Sequence, residues 1–218
     1  MTIAIFTIIF GVFANIPSDG LPYPVFAYAA LLPWTYFAEG VTRSSVSLVS
    51  DANLIRKVYF PRLIIPLASV LTPLLDFFLS FVFLLAVMLW FGMSPTRGAI
   101  FLPLFLSLTV MTALAVGLWL SALNVKYRDV RHTVPFCVQF WMYASPVVYP
   151  VSLIPEKWRF IFGLNPMTGV IEGFRWGLLG KQTPDIMVIS VSTIVVLVLF
   201  LSGLIFFRRM ERTFADVV

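Results

Sequence analysis

Residues 43–62, RSSVSLVSDANLIRKVYFPR, form the longest charged interruption between the apolar blocks of this 218-residue chain. Arg43, Arg56, Lys57 and Arg62 stand there against one acid, Asp51. Asp51 suits the cap of a short helix beginning at Ala52, and Pro61 closes it, because proline lacks the N–H that a further turn needs. On that helix Leu54, Ile55, Val58 and Tyr59 share one face while Arg56 and Lys57 point elsewhere. Such a helix rests on a membrane surface with its apolar side down and its basic side toward water. The same residues also suit a basic loop that only sets topology, and spacing alone leaves both readings open.

Working outward, the chain is 60% hydrophobic and 11% charged, with a mean hydropathy of +0.98. Soluble domains carry about a quarter charged residues, so the composition predicts an all-α, polytopic membrane bundle. The net charge of +5 is spread over loops. No basic stripe tracks a phosphate backbone, so nucleic acid is not an expected partner. Cys137 and His132 are each single in the chain, which excludes an internal disulfide and C-x-x-C metal chemistry. The first residues lack the basic n-region of a cleavable signal peptide.

A spanning helix needs roughly 20 residues. Met1 to Ala14 falls short of that, so the first span reads as incomplete, and the turn-rich loop NIPSDGLPYP follows it. Val25 to about Val41 is the second expected span, interrupted by Pro33 and containing Glu39. Ile64 to Phe91 is the third, with tilt or a kink near Pro66 and Pro73. A turn over Gly92 to Gly98 leads to the fourth, Ala99 to Leu123, which the basic loop NVKYRDVRH closes. Thr133 to Tyr149 is the fifth and Ile186 to Phe207 the sixth. Pro150 to Thr183 is neither a clean span nor an ordinary loop. The expectation is one transmembrane domain over 1–212, with a short cytoplasmic tail at 213–218.

Charge placement orients this bundle. Arg43, Arg56, Lys57, Arg62, Lys126, Arg128, Arg131, Arg208, Arg209 and Arg212 fall on one side, ten of the 15 basic residues. Arg97, Lys157, Arg159, Arg175 and Lys181 fall on the other, in loops that also carry Glu156, Glu172 and Asp185. The positive-inside rule then puts the basic loop and both termini in the cytoplasm. With no outer-membrane barrel pattern, the inner membrane is the expected site.

Asp76 is the intramembrane charge that most needs a reason. Placing a carboxylate at mid-bilayer costs about 2.5–3.5 kcal/mol on insertion scales, so it should face the bundle or a water-filled path. A protonated acid, or one hydrogen-bonded between helices, meets the same requirement. The fifth span carries Phe136, Phe140 and Tyr143 at helical spacing, with Gln139 and Trp141 beside them. Such a stripe serves packing or an interfacial belt, and it also suits a wall on which sugar rings stack.

In the segment SPVVYPVSLIPEKWRFIFGLNPMTGVIEGFRWGLLG, Pro146, Pro150 and Pro155 break any long helix. Trp158 to Phe162 and Met167 to Leu179 each suit a short helix, separated by Gly163 and the Asn165–Pro166 pair. Neither can span, so they read as re-entrant or interfacial helices on the outer side, with Glu172 and Arg175 three apart and able to pair. A hairpin that only packs the last two spans together fits as well.

Several chemistries lack their residues. Gly180–Lys181 is followed by Gln182, and Arg175 stands where the first glycine of a phosphate loop belongs, so the ATP-cradling pattern fails. A single histidine leaves few options for general-base catalysis. Aspartate-rich repeats that would hold magnesium are also missing.

The runs LLPWTYFAEG, NLIRKVYFPRLIIPL, NVKYRDVRH and LNPMTGVIEGFRWGLL resemble the permease subunits of ABC-2 type exporters that move polysaccharides. Order, spacing and side of the membrane agree over nearly the whole chain. The resemblance implies a homodimer working with a separate cytoplasmic ATP-binding subunit, which would carry the ATP and magnesium. It implies a cytoplasmic gate and coupling region at Asn53, Leu54, Arg56, Lys57, Tyr59 and Arg62, joined by Arg128 and Asp129. It further implies a channel lined by aromatics, for which Phe136, Gln139, Phe140 and Tyr143 are the candidates, and an outer gate at Asn165, Pro166, Glu172 and Arg175. The implied cargo is a lipid-linked polysaccharide such as O-antigen, capsule or a teichoic-type polymer. The family begins with a basic amphipathic segment and a complete first span, so the resemblance suits either sequence upstream of Met1 or a natural short variant whose first helix is tilted or half inserted. An exporter of a drug or lipid, and a membrane-embedded glycosyl or prenyl transferase, remain as alternatives.

Overall fold

The computed structural model describes residues 5–13, 16–52, 57, 61–180 and 185–211. Among them the regular structure is helical. After a π-helical turn at Thr7–Phe13 come α1 (Tyr23–Ser50), α2 (Ile64–Leu71), α3 (Leu74–Trp90), α4 (Leu102–Lys126) and α5 (Val130–Ala144). The short helices α6 (Glu156–Gly163) and α7 (Pro166–Leu179) then precede α8 (Ile186–Glu211).

Three of these segments are long and apolar enough to cross a membrane: Ile64–Trp90, Arg97–Lys126 and Ile186–Glu211. Their outward faces are hydrocarbon-like. Leu75, Leu79 and Val82 on α3, and Ile194, Leu197, Val198, Leu201 and Ile205 on α8, are exposed at helical spacing. Of the two prolines where tilt or a kink is expected, Pro73 carries a break, with Thr72 and Pro73 forming the turn between α2 and α3, while Pro66 lies inside α2.

The centre of the bundle is α1. Of its 28 residues, 19 are buried, and it packs against α2, α3, α4, α5 and α7. It runs nine residues past the expected end at Val41, and Pro33 sits inside without ending it. The reason for the extra length is internal satisfaction. Ser45 Oγ donates to the Thr42 carbonyl at 2.7 Å and Ser47 Oγ to the Ser44 carbonyl at 2.8 Å, so residues that read as loop formers bond back into their own helix. Asn124 Nδ2 of α4 donates to the Ser45 carbonyl at 3.0 Å. A helix surrounded by protein also needs less apolar surface than one facing lipid, which explains its weaker hydropathy. Arg43, expected in the basic loop, lies within α1 and pairs with Glu39 at 2.7 Å. Asp51 ends α1, its N–H donating to the Ser47 carbonyl. The surface helix expected over 52–60 lies largely outside the described residues, as does the tail at 213–218.

The fifth expected span needs correction. Helix α5 covers Val130–Ala144, only 15 residues, about 22 Å at 1.5 Å per residue. Ser145 is extended at φ −103°, ψ 149°, the conformation that a following proline imposes. Residues 145–149 are therefore a turn rather than the last turn of a helix.

Two short helices form where a short pair is expected. Gly163 closes α6, and Pro166 at the first position of α7 suits a helix start. Gly180 ends α7 at φ +64°, where a side chain would meet both the left-handed backbone and Thr96.

Candidate functional site

One edge of α5 rests on α1 while the other stands open. Val134 and Val138 are buried, and Trp141 meets Phe37 of α1 edge-on at 5.2 Å. On the free edge Phe136, Phe140 and Tyr143 are 65%, 74% and 53% exposed, and Gln139 is exposed beside them. The expected stripe is therefore not core packing within one chain. A groove of about 560 Å³ lies between α4 and α5, running from Tyr127 and Asp129 to Trp141.

The start of α7 is bolted to the end of α5 through Asn165. Its Oδ1 accepts from Met167 N at 3.1 Å, capping α7, and from Trp141 Nε1 at 3.1 Å. Its Nδ2 donates to Ser145 Oγ at 2.8 Å and to the Ala144 carbonyl at 3.4 Å. One amide thus satisfies the start of α7 and the end of α5 together.

Arg175 holds the turn after α5. Nη1 donates to the carbonyls of Pro146 at 2.8 Å and Tyr149 at 3.1 Å, and Nη2 donates to that of Val147 at 2.8 Å. The guanidinium also lies over the Phe26 ring of α1 at 3.7 Å. The expected pairing with Glu172 is present but longer, at 3.8 Å. Tyr23 Oη adds a bond to the Val148 carbonyl at 3.1 Å, so α1 and α7 grip this turn from two sides. Burial lowers Arg175 to about 10, with Glu172 opposing that shift, so it stays protonated at neutral pH.

Ser192 of α8 fixes the hairpin from behind. Its Oγ donates to the Gly163 carbonyl at 2.9 Å and accepts from Gly169 N at 3.1 Å. A Cβ on Gly169 would come within 2.7 Å of the Ser192 side chain, so glycine allows this approach.

On the cytoplasmic candidates the structure speaks in part. Asn53, Leu54, Arg56 and Tyr59 lie outside the described residues, and Lys57 is exposed. Arg62 Nη1 donates to the Glu211 carbonyl at 2.5 Å, joining the end of the basic stretch to the last turn of α8. Arg128 and Asp129 sit exposed in the tight turn before α5, where the Asp129 carbonyl accepts from His132 N at 3.1 Å. Asp76 is exposed, on a polar groove between α1 and α3 that also holds Glu39, Thr35 and Ser80. Of the readings open for Asp76, an interhelical hydrogen bond is not formed with a described residue. That groove is separate from the aromatic edge of α5.

The ABC-2 type transporter family model matches residues 1–179. The chain belongs to that family. This ABC-2 protein is similar to the O-antigen export system permease protein RfbA of Klebsiella pneumoniae, at 29% identity over 197 residues, covering 90% of this chain and 76% of the relative. RfbA of Myxococcus xanthus is 29% identical over 207 residues, covering 94% and 78%. The polysialic acid transport protein KpsM of Escherichia coli is 22% identical over 213 residues, covering 94% and 81%. The ABC-2 protein is accordingly a membrane transport subunit.

Sequence reasoning missed Trp141, Tyr23, Phe26 and Ser192 as parts of the outer assembly. For Asn165 a signal existed, since asparagine before proline is a strong helix start. For the other four none did, because their partners lie far away along the chain.

Proposed function

We propose that this chain is the membrane half of an ATP-driven exporter that carries a lipid-linked polysaccharide of the O-antigen, capsule or teichoic type across the inner membrane. The observation that carries the reading is the free edge of α5. Three aromatic rings and an amide project from a helix whose end is fastened to the outer hairpin. Aromatic faces stack on sugar rings and an amide bonds their hydroxyls, so this edge offers a sequence-tolerant wall for a polymer. A second copy of the chain facing it would close the wall into a channel.

On this reading the bundle has six spans, and both termini are cytoplasmic. Pro146 to Leu179 is the outer gate, with Asn165, Glu172 and Arg175 as its fastenings. A separate ATP-binding subunit supplies ATP and magnesium and pushes on residues 52–60 and on the turn at Arg128 and Asp129. The direct connection of Arg62 to the end of α8 supports that route, because displacement of the basic stretch would move α8 and with it the outer hairpin.

The test is an in-frame deletion, with lipid-linked glycan stained inside the cell and polymer stained outside. Glycan trapped inside, with surface polymer restored by this chain, is the expected result. Unchanged surface polymer in the deletion strain would overturn the assignment.

A further inference from the structure

The outer ends of α3 and α4 enclose an apolar groove that the export reading leaves unused. Its volume is about 470 Å³, within the roughly 300–1,000 Å³ of ligand pockets. Phe78, Phe81 and Leu85 of α3, Leu102 and Leu106 of α4, and Phe174 of α7 form its walls. The α3 and α4 walls belong to segments long and apolar enough to cross a membrane, so the groove opens to hydrocarbon. An unfilled groove would forfeit the dispersion contacts of its lining, and the occupant at hand in a bilayer is an acyl chain.

The rim of the groove says which lipid. Pro95 and Ala99 both line it, and between them Arg97 begins the 3₁₀ turn Arg97–Phe101 with its side chain exposed. That turn is held in place by Thr96, whose N–H donates to the Leu178 carbonyl at 3.3 Å and whose Oγ1 donates to the Gly177 carbonyl at 2.8 Å. Arg97 forms no ion pair with a described residue. Aromatic rings mark the same level: Trp90 is 88% exposed, and Phe101 packs on Trp176 with centroids 5.5 Å apart. Such belts sit at headgroup depth. A free guanidinium there, at the mouth of an apolar groove, is complementary to a phosphate, which arginine takes through two parallel N–H bonds.

We propose that this groove holds an acyl chain of an anionic phospholipid whose phosphate sits on Arg97. The proposal rests on the membrane-spanning part of the reading above and on nothing about the cargo. Because Phe174 and Leu178 of α7 line the groove, a seated chain braces the outer hairpin against α3 and α4. With the orientation given above, the lipid belongs to the leaflet facing away from the cytoplasm.

The test uses the full chain in nanodiscs of phosphatidylcholine doped with phosphatidylglycerol, extracted gently, with retained lipid counted by native mass spectrometry. The wild type is expected to keep one phosphatidylglycerol per chain in preference to phosphatidylcholine. Arg97→Ala, a change at an exposed side chain, should cut that retention about fivefold, the effect of one surface cation, and Arg97→Lys should keep most of it. Ala99→Phe should expel the lipid by filling the groove. Retention at the wild-type level in both Arg97→Ala and Ala99→Phe would overturn the proposal, as would equal retention of phosphatidylcholine. A polyprenyl phosphate that displaces phosphatidylglycerol and stays in its place would overturn the phospholipid assignment. The assay contains no glycan and no ATP-binding subunit, so its outcome is independent of the export reading.

Discussion

Trp141 Nε1 donates to Asn165 Oδ1 at 3.1 Å, and this bond joins the helix with the free aromatic edge to the start of α7. The same oxygen caps α7. Any movement of α5 is therefore felt at α7 without an intervening loop, as the proposed outer gate linked to the proposed channel wall requires.

Asn165→Ala removes the cap and both links to α5. Caps of this kind contribute about 1 kcal/mol, and the stranded donor at Trp141 adds a further about 1 kcal/mol. Thermal unfolding in detergent should fall accordingly. Trp141→Phe should give a smaller loss, since the cap survives. Equal unfolding temperatures for Asn165→Ala and wild type would contradict the linkage.

Arg175 is buried with three carbonyl acceptors, and no other residue can present donors in that fork. Arg175→Met leaves those carbonyls and Glu172 unpaired, a loss of about 3 kcal/mol or more, read as poor yield of folded protein. Arg175→Lys should recover only part of it, because a lysine lacks the fork geometry. Full recovery by lysine would show that charge alone matters.

Gly169→Ala should separate α7 from α8, because the added Cβ falls 2.7 Å from Ser192. Overpacking of this sort costs about 1–3 kcal/mol. The double variant Gly169→Ala with Ser192→Gly should regain part of the loss, and absence of any coupling between the two changes would refute the contact.

Glu172 should leave a signature in pH. Burial raises its carboxyl above the usual 4.5, Arg175 opposes the shift, and Asp19 and Asp185 add to it. The folded state therefore binds this proton more tightly than the unfolded one. Stability from this group is full below 4.5 and is lost as pH rises through the raised folded value. Glu172→Gln should flatten that acid-side slope in unfolding temperature against pH, and an unchanged slope would assign it elsewhere.

Much of this architecture was legible because apolar length and proline placement are local signals. The break at Pro73, the turn and span after Gly92, and the α6–α7 pair around Gly163 and Asn165–Pro166 all follow from them, whereas the 3₁₀ form of Arg97–Phe101 does not. The length of α1 was not legible, because Ser45 and Ser47 read as loop formers until their bonds within a buried helix are seen. The early end of α5 at Ser145 was signalled by Pro146, but the apolar residues continuing to Tyr149 read as part of the span. Arg175 was read through its neighbour Glu172, yet its stronger partners lie 26 to 29 residues back. Spacing on one helix says nothing about such a clamp.

The most direct measurement co-reconstitutes this chain with its ATP-binding subunit in vesicles carrying lipid-linked glycan and follows glycan reaching the opposite face. The account predicts ATP-dependent appearance of glycan, slowed severalfold by Phe140→Ala with Gln139→Ala while the unfolding temperature stays unchanged, since both side chains are exposed. Glycan transfer at the wild-type rate in that double variant would contradict the α5 edge as the channel wall, and no ATP-dependent transfer by the wild type would contradict polysaccharide export itself.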